Sequence, residues 1–366
     1  MANFKIWNRI DQYFKHNGLR FVEKIAAKKL LEPEQIEWDN VKSILIVRPH
    51  DQLGDFLLSS AVWRAVGKAF PDLRKGLVAR SYAADVVKNH PYVDELIIFY
   101  ENGFMWNFRR IREFWKALHK RWDLAIVLSS ESHSLTSDLI TVLSGARYVV
   151  GSERFPFGGC TRNFFYNIIV PDSGKPRHQV LRNAEIAEYI GIKVDDVSEK
   201  IYITDDEKSL IRNKFIEIYS QDTVVGLHIG ANKRENRWPA AKFAELCEKI
   251  YKTYKIKPVI FWGPKEGDLK EEFSRYCNTP VFMVPPSSLR NQAVHFFLCN
   301  AVVCNDTGIM HVCASVGTPF TAIFGPTDPM FWEPPGDLFR SVRADNKKTE
   351  SVTVEQVEKE LEILLK

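Results

Sequence analysis

Three stretches of the chain set acids, cations, a histidine and hydroxyls where an α/β protein would meet a ligand. The first is VRPHDQLGDFLLSS, residues 47–60. The apolar run Ser43–Val47 ends in a loop carrying Arg48, His50, Asp51 and Gln52, and Gly54-Asp55 opens the next apolar run. Strand–loop–helix with a glycine often holds phosphate, yet neither G-x-G-x-x-G nor G-x-x-x-x-G-K-[ST] is present. The loop still sits at a strand's carboxyl end, where open α/β sheets take ligands. Gly54 lets another segment or molecule approach closely. Taken alone, Asp55 reads as the cap of the following helix.

The second stretch, GLHIGANKRENRWPAAKF (226–243), is a strand, a loop with Lys233, Arg234 and Arg237, and a Trp-Pro that starts a helix. Proline suits a first helical turn, which needs no amide hydrogen. A basic loop at a strand's carboxyl end suits an anion, although a solvated loop would look similar. The third, VVCNDTGIMHVCASVGTPFTAIFGPTD (302–328), runs from a strand into Asn305-Asp306-Thr307-Gly308 at a helix start. Free amide hydrogens, the helix dipole and the Thr307 hydroxyl can hold a diphosphate there. His311 lies one turn on, able to add charge or to be a satisfied core histidine.

Other chemistries leave no trace. No D-x-D or His/Asp cluster with metal spacing stands at a strand end, so no metal site is indicated. A G-x-S-x-G elbow and an aromatic-basic nucleic-acid platform are absent too. The six cysteines lack C-x-x-C spacing and read as buried thiols in a reducing cytoplasm.

The elements that must position these stretches follow from periodicity. With 45% hydrophobic and 26% charged residues among 366, the chain is a globular protein of two domains' length. No segment has the ~20 apolar residues of a membrane span, and the N-terminus has no export signal core. Residues 1–32 carry seven Lys/Arg against three acids, a surplus of four that equals the whole formal net charge of +4. Ile6, Trp7, Ile10 and Phe14, then Phe21, Val22 and Ile25, predict two amphipathic basic helices in residues 1–36. They suit either an anionic membrane surface or packing on the body.

From Ser43 strands and helices alternate: strand Ser43–Val47, helix Phe56–Phe70, strands Gly76–Ala79, Glu95–Phe99 and Leu124–Leu128, helix Phe108–His119. A Pro/Gly/Ser-rich linker, PDSGKPRH (171–178), precedes a second alternating set beginning at Val224. The pattern predicts an α/β chain with parallel sheets. Residues 37–175 and 176–340 form two Rossmann-like domains with a ligand cleft between them. Thr353-Val-Glu-Gln356 caps a C-terminal helix in 341–366, for which packing back on the N-terminal domain is one option.

In this order the three stretches resemble glycosyltransferase family 9, the heptosyltransferases of lipopolysaccharide assembly. The family's R-P-x-x-x-G-D with a helix ending in a-F-P is similar to Arg48-Pro49 through Gly54-Asp55, where four residues rather than three separate Pro49 from Gly54, and on to Phe70-Pro71. Its Lys-Arg-Trp-Pro is matched by Asn236-Arg237-Trp238-Pro239, and its N-D-T-G-x-x-H…G-T-P…F-G-P-T-D-P by Asn305 to Pro329. The likeness spans roughly residues 43–335. Three departures stand out: Asn236 replaces the phosphate-contacting lysine, Ser60-Ala61 replaces Thr-Pro, and His50-Asp51-Gln52 is bulkier than usual.

The resemblance implies a GT-B fold and inverting, metal-independent transfer from a nucleotide sugar such as ADP-heptose, with no cofactor. Asp55 becomes the general base, taking the acceptor hydroxyl's proton. Lys233, Arg237, Asp306, Thr307, Gly308 and His311 take the donor phosphates, and Glu266 the nucleoside. Arg48, His50, Asp51, Gln52, Gly54 and Ser60 face a lipid-linked saccharide acceptor. The expected seat is the cytoplasm, at the inner face of the membrane through residues 1–36. A nucleotide-sugar epimerase on the same scaffold and a non-catalytic sugar-nucleotide binder are the competing readings.

Overall fold

The computed structural model describes residues 18–49, 52–129, 134–154 and 156–366. His50, Asp51 and the first of the two amphipathic helices expected at the N-terminus lie outside them. Residues 18–26 are helical. Glu23 seats this helix by accepting hydrogen bonds from the Thr161 amide (2.9 Å) and hydroxyl (2.6 Å), while Phe21 and Ile25 stay exposed.

Strand β1 (Ser43–Val47) is buried along its whole length, as a strand covered on both faces must be. Two helices, α1 (Leu53–Leu57) and α2 (Ser60–Ala69), follow where the sequence predicts one over Phe56–Phe70. The break has a local cause: Ser59 Oγ donates to the Phe56 carbonyl at 2.6 Å, competing with helix continuation.

The chain forms two compact units. The first holds Val62–Ala84 and Pro91–Asp196 together with the segment bearing β1. Its strands are β2 (Arg74–Arg80), β3 (Glu95–Phe99), β4 (Leu124–Val127), β5 (Tyr148–Ser152) and β6 (Ile168–Val170). They make a six-stranded sheet of order β3-β2-β1-β4-β5-β6, parallel in every pairing. Helices α3 (Phe108–Leu118) and α4 (Leu135–Ser144) help cover it, with α5 (Gln179–Glu188) beyond the sixth strand. Leu45, Val47, Val78, Ala125, Val127 and Val149 pack with Trp122, Phe164 and Tyr166. Each large aliphatic contributes roughly 1.5–3 kcal/mol through burial.

The second unit takes Gln52–Ala61, Asp85–His90 and Val197–Lys366. Its strands are β7 (Val225–His228), β8 (Val259–Phe261), β9 (Phe282–Met283), β10 (Ala301–Asn305), β11 (Phe320–Phe324) and β12 (Phe339–Arg343). The order β12-β11-β10-β7-β8-β9 repeats the pattern of the first sheet, again all parallel. Helix α6 (Asp205–Lys214) opens on a capping box between Thr204 and Glu207. Then come α7 (Ala240–Tyr254), α8 (Gly267–Tyr276), α9 (Leu289–Phe297), α10 (Gly308–Ser315) and α11 (Val354–Leu365). The closing helix α11 buries Val354, Val357 and Leu361 among Leu227, Trp238, Phe243 and Ile323, in this unit's own core.

Arg290 draws the short segment Asp85–His90 into the second unit. Its guanidinium donates to Glu207 Oε1 (2.5 Å) and Oε2 (2.8 Å), the Tyr202 carbonyl (2.7 Å) and the Lys88 carbonyl (2.9 Å). No described helix is long and apolar enough to cross a membrane.

Candidate active site

Each sheet reverses its strand order once, between β1 and β4 and between β7 and β10. Such a reversal splays the loops at the strands' carboxyl ends and leaves a crevice. In the second unit the loops are the basic one after His228 and the polar one after Asn305. Asn305, fully buried, stitches them together. Its Nδ2 donates to the carbonyls of Ile229 (3.1 Å) and Gly230 (3.0 Å), and its Oδ1 accepts from the Trp238 amide (2.9 Å).

Along the β7 loop, Lys233 is exposed and Arg237 half-buried. Arg237 Nε donates to the Ala231 carbonyl at 2.7 Å, and its terminal nitrogen lies 3.9 Å from Glu266 Oε1. Glu266, buried, accepts from the Gly263 amide at 2.6 Å. It presses so closely on Gly230 that a Cβ there would lie 1.7 Å from Glu266 Oε2. The expected basic loop and Glu266 thus meet at one strand end.

Helix α10 begins at Gly308, with Thr307 as its cap: Thr307 Oγ1 accepts from the Ile309 amide at 3.3 Å. Thr307 and Gly308 are partly exposed, so the helix's positive end faces outward. Asp306 beneath it is buried. Burial pushes its carboxyl above the usual range, opposed by a hydrogen bond from Thr327 and by the charges of His311, Lys233 and Arg343. The Gly325-Pro326-Thr327-Asp328 turn belongs to the same construction: Arg343 donates to the carbonyls of Gly325 (3.1 Å) and Pro326 (3.0 Å) and pairs with Asp328 at 3.1 Å.

Helix α1 lies directly against α10, and two glycines make the approach possible. A Cβ on Gly54 would lie 2.5 Å from His311 Cδ2, and one on Gly308 would lie 2.8 Å from Leu53 Cβ. Asp55, only 3% exposed, is carried into the same place. It is the third residue of α1, with exposed Gln52 at the cap position that the sequence offers to Asp55. Ser60, buried, accepts from the Lys200 amide at 3.4 Å.

His311 is buried, its Nδ1 2.7 Å from Glu199 Oε1. Burial lowers its pKa, but Glu199, through charge and hydrogen bond, and then Asp306 and Asp55, outweigh that and raise it above the ordinary imidazole value. The balance favours an imidazolium one turn inside the helix's positive end. Ser315 Oγ donates its one proton to the His311 carbonyl (2.7 Å) and lies 3.3 Å from Glu199 Oε2. Nothing in VSEKIYIT distinguishes Glu199 from a surface glutamate, so its role is visible only in the fold.

The second unit therefore gathers Gly54, Asp55, Ser60, Asp306, Thr307, Gly308 and His311, with Lys233, Arg237 and Glu266 on the neighbouring loop. Arg48 belongs to the first unit, where it is buried and donates to the Leu128 carbonyl at the β1/β4 reversal.

The family model for glycosyltransferase family 9 (heptosyltransferase) matches residues 111–362. The chain belongs to glycosyltransferase family 9. It is accordingly an enzyme that transfers a glycosyl group. It is 24% identical to lipopolysaccharide heptosyltransferase 2 of Escherichia coli K12, over 82% of this chain and 87% of the relative. Identity to lipooligosaccharide heptosyltransferase 2 of Haemophilus influenzae is 26%, over 82% and 88%. A family 9 glycosyl transferase from Veillonella parvula has the same fold at TM-score 0.77 and 22% identity, covering 88% of this chain and 97% of the other. So does the E. coli ADP-heptose LPS heptosyltransferase II, at TM-score 0.73 and 24% identity, covering 88% and 98%. Both agree with the α/β, GT-B architecture of paired Rossmann-like sheets.

Asn236, one of the three positions that depart from the expected pattern, has a specific geometry. Asn236 is buried, and its Nδ2 donates to the Asp306 carbonyl (3.0 Å) and Oδ2 (3.3 Å). The amide fastens the Asp306 turn from within. Lys233 stands exposed three residues earlier in the same loop.

Proposed function

We propose that the protein transfers heptose, or a closely related sugar, with inversion and without a metal. The donor is a nucleotide sugar, ADP-heptose in the simplest case, and the acceptor a lipopolysaccharide-core or other lipid-linked saccharide. Asp55 takes the proton of the acceptor hydroxyl as its oxygen bonds the anomeric carbon and the bond to the diphosphate breaks. The departing diphosphate gains charge, which the first turn of α10, His311, Lys233 and Arg237 offset. Glu266 takes the nucleoside. The heptosyltransferase activities of the relatives support the sugar and acceptor, and the solved E. coli heptosyltransferase with ADP supports the nucleotide.

The observation that carries the reading is the packing of α1 on α10, which sets Asp55 beside His311 and the positive helix end. Asp55→Asn is expected to abolish transfer while ADP binding, followed by calorimetry, stays within a few-fold of the parent. An active Asp55→Asn enzyme would remove the base assignment. The reading also puts the protein at the inner face of the cytoplasmic membrane with residues 1–36 on anionic lipid. Liposome co-sedimentation of a chain lacking residues 1–36 tests that: unchanged binding would reject it.

A further inference from the structure

Helix α3 (FRRIREFWKAL) is anchored to the first unit by one face and leaves the apolar flank beside it uncovered. On the inner face, Phe114 meets the Phe99 and Trp106 rings at 6.0 and 5.2 Å, and Leu118 is fully buried. Arg110 lies over the Tyr100 ring at 4.3 Å and donates to the Met105 carbonyl at 2.6 Å. On the outer face Phe108, Ile111 and Trp115, at helical spacing, are 83%, 51% and 50% exposed. The neighbouring α4 continues the exposure with Leu135, Leu139 and Val142.

Two adjacent helices each presenting an apolar stripe to water form a patch of the kind that marks an interaction surface. Its charge identifies the partner. Residues 108–121 hold six cations, Arg109, Arg110, Arg112, Lys116, Lys120 and Arg121, against the single acid Glu113, and of these Lys120 is paired with Glu95 at 2.8 Å. Arg109, Arg112 and Lys116 are exposed beside the aromatics, and Glu113 is paired with Arg109 at 2.8 Å. Aromatic and aliphatic tips interleaved with cations are the composition of a helix lying in the headgroup layer of an anionic bilayer.

We propose that the α3–α4 face docks on anionic lipid, Phe108, Ile111 and Trp115 entering the headgroup–acyl boundary while Arg109, Arg112 and Lys116 contact lipid phosphates. The inference holds whichever sugar the enzyme moves, and it concerns a surface separate from the N-terminal extension.

The test uses the full-length chain with vesicles of phosphatidylcholine, alone or mixed with phosphatidylglycerol, scored by co-sedimentation. Two triple variants are compared: Phe108→Ser with Ile111→Ser and Trp115→Ser, and Arg109→Gln with Arg112→Gln and Lys116→Gln. All six positions are outward-facing; circular dichroism verifies folding, and the charge variant retains every apolar contact. Binding to the mixed vesicles is expected to fall by roughly tenfold or more in each variant, and added salt to weaken the parent. Three results would overturn the proposal. These are equal sedimentation of parent and both variants, binding abolished by removing residues 1–17 but untouched in both variants, and a parent dimer by light scattering that the apolar variant converts to monomer without altering vesicle binding.

Discussion

His311 and Glu199 meet at 2.7 Å with almost no solvent access to either side chain. Breaking a buried pair by removing one charge costs roughly 3–5 kcal/mol. Because His311 has its pKa raised in the fold, the pair stabilises fully below the free imidazole value of 6.5 and fades as pH climbs past the raised value. Urea denaturation of parent and Glu199→Gln should therefore diverge more at pH 6.5 than at alkaline pH, where the two converge. A gap independent of pH would show that Glu199 acts through packing alone.

Gly54 is bound to its identity by space. Alanine there would place a methyl 2.5 Å from His311 Cδ2, forcing α1 away from α10. Overpacking of this kind costs typically about 1–3 kcal/mol. Gly54→Ala should lower the denaturation midpoint accordingly and reduce kcat more than it alters ADP affinity, since Asp55 moves with α1. An alanine variant with parental stability and turnover would contradict the close packing.

Asn236 fastens Asp306 rather than offering the cation of the family motif. Replacement by leucine removes both hydrogen bonds and is expected to weaken ADP binding about tenfold. Lysine can pair with the Asp306 carboxylate, so Asn236→Lys should remain within about threefold of the parent. Calorimetry with ADP decides between them: a lysine variant as weak as the leucine one would mean that shape matters more than the bond to Asp306.

Arg290 holds Glu207 by two hydrogen bonds and lowers its carboxyl from 4.5 to about 2. A depressed carboxyl stabilises above its unfolded value and loses that contribution as pH falls through the folded one. Arg290→Met should thus be about 3 kcal/mol less stable at neutral pH. Its melting curve should approach the parent's as pH drops from 4.5 toward 2.

Much of the architecture is legible locally. Ser43–Val47, Val224–His228 and Ala301–Cys304 are apolar runs bounded by polar turns, and strands covered on both faces need little else to be recognised. Asn305-Asp306-Thr307-Gly308 announces a helix start through residue types alone. Other features depend on distant partners. Glu199 gains its meaning from His311, 112 residues on, and the patch on α3 requires knowing which face Phe99 and Trp106 cover. The division of Phe56–Phe70 turns on one hydroxyl, Ser59, whose preference for the Phe56 carbonyl no periodicity reveals. Helix α4 (LTSDLITVLS) escapes pattern reading because its outward side is itself apolar, so the contrast on which amphipathicity rests is missing.

Asn305 uses both of its amide hydrogens and its oxygen within the fold. The two loops it joins are consequently set during folding, and a ligand arriving there meets a frame whose ordering entropy is not charged against binding. Aspartate has almost the same outline, yet at residue 305 it would turn an oxygen toward two carbonyls and convert attraction into repulsion. For this one buried side chain, size is an unsafe guide to exchangeability: the pattern of donors and acceptors alone decides which residue the sequence can carry.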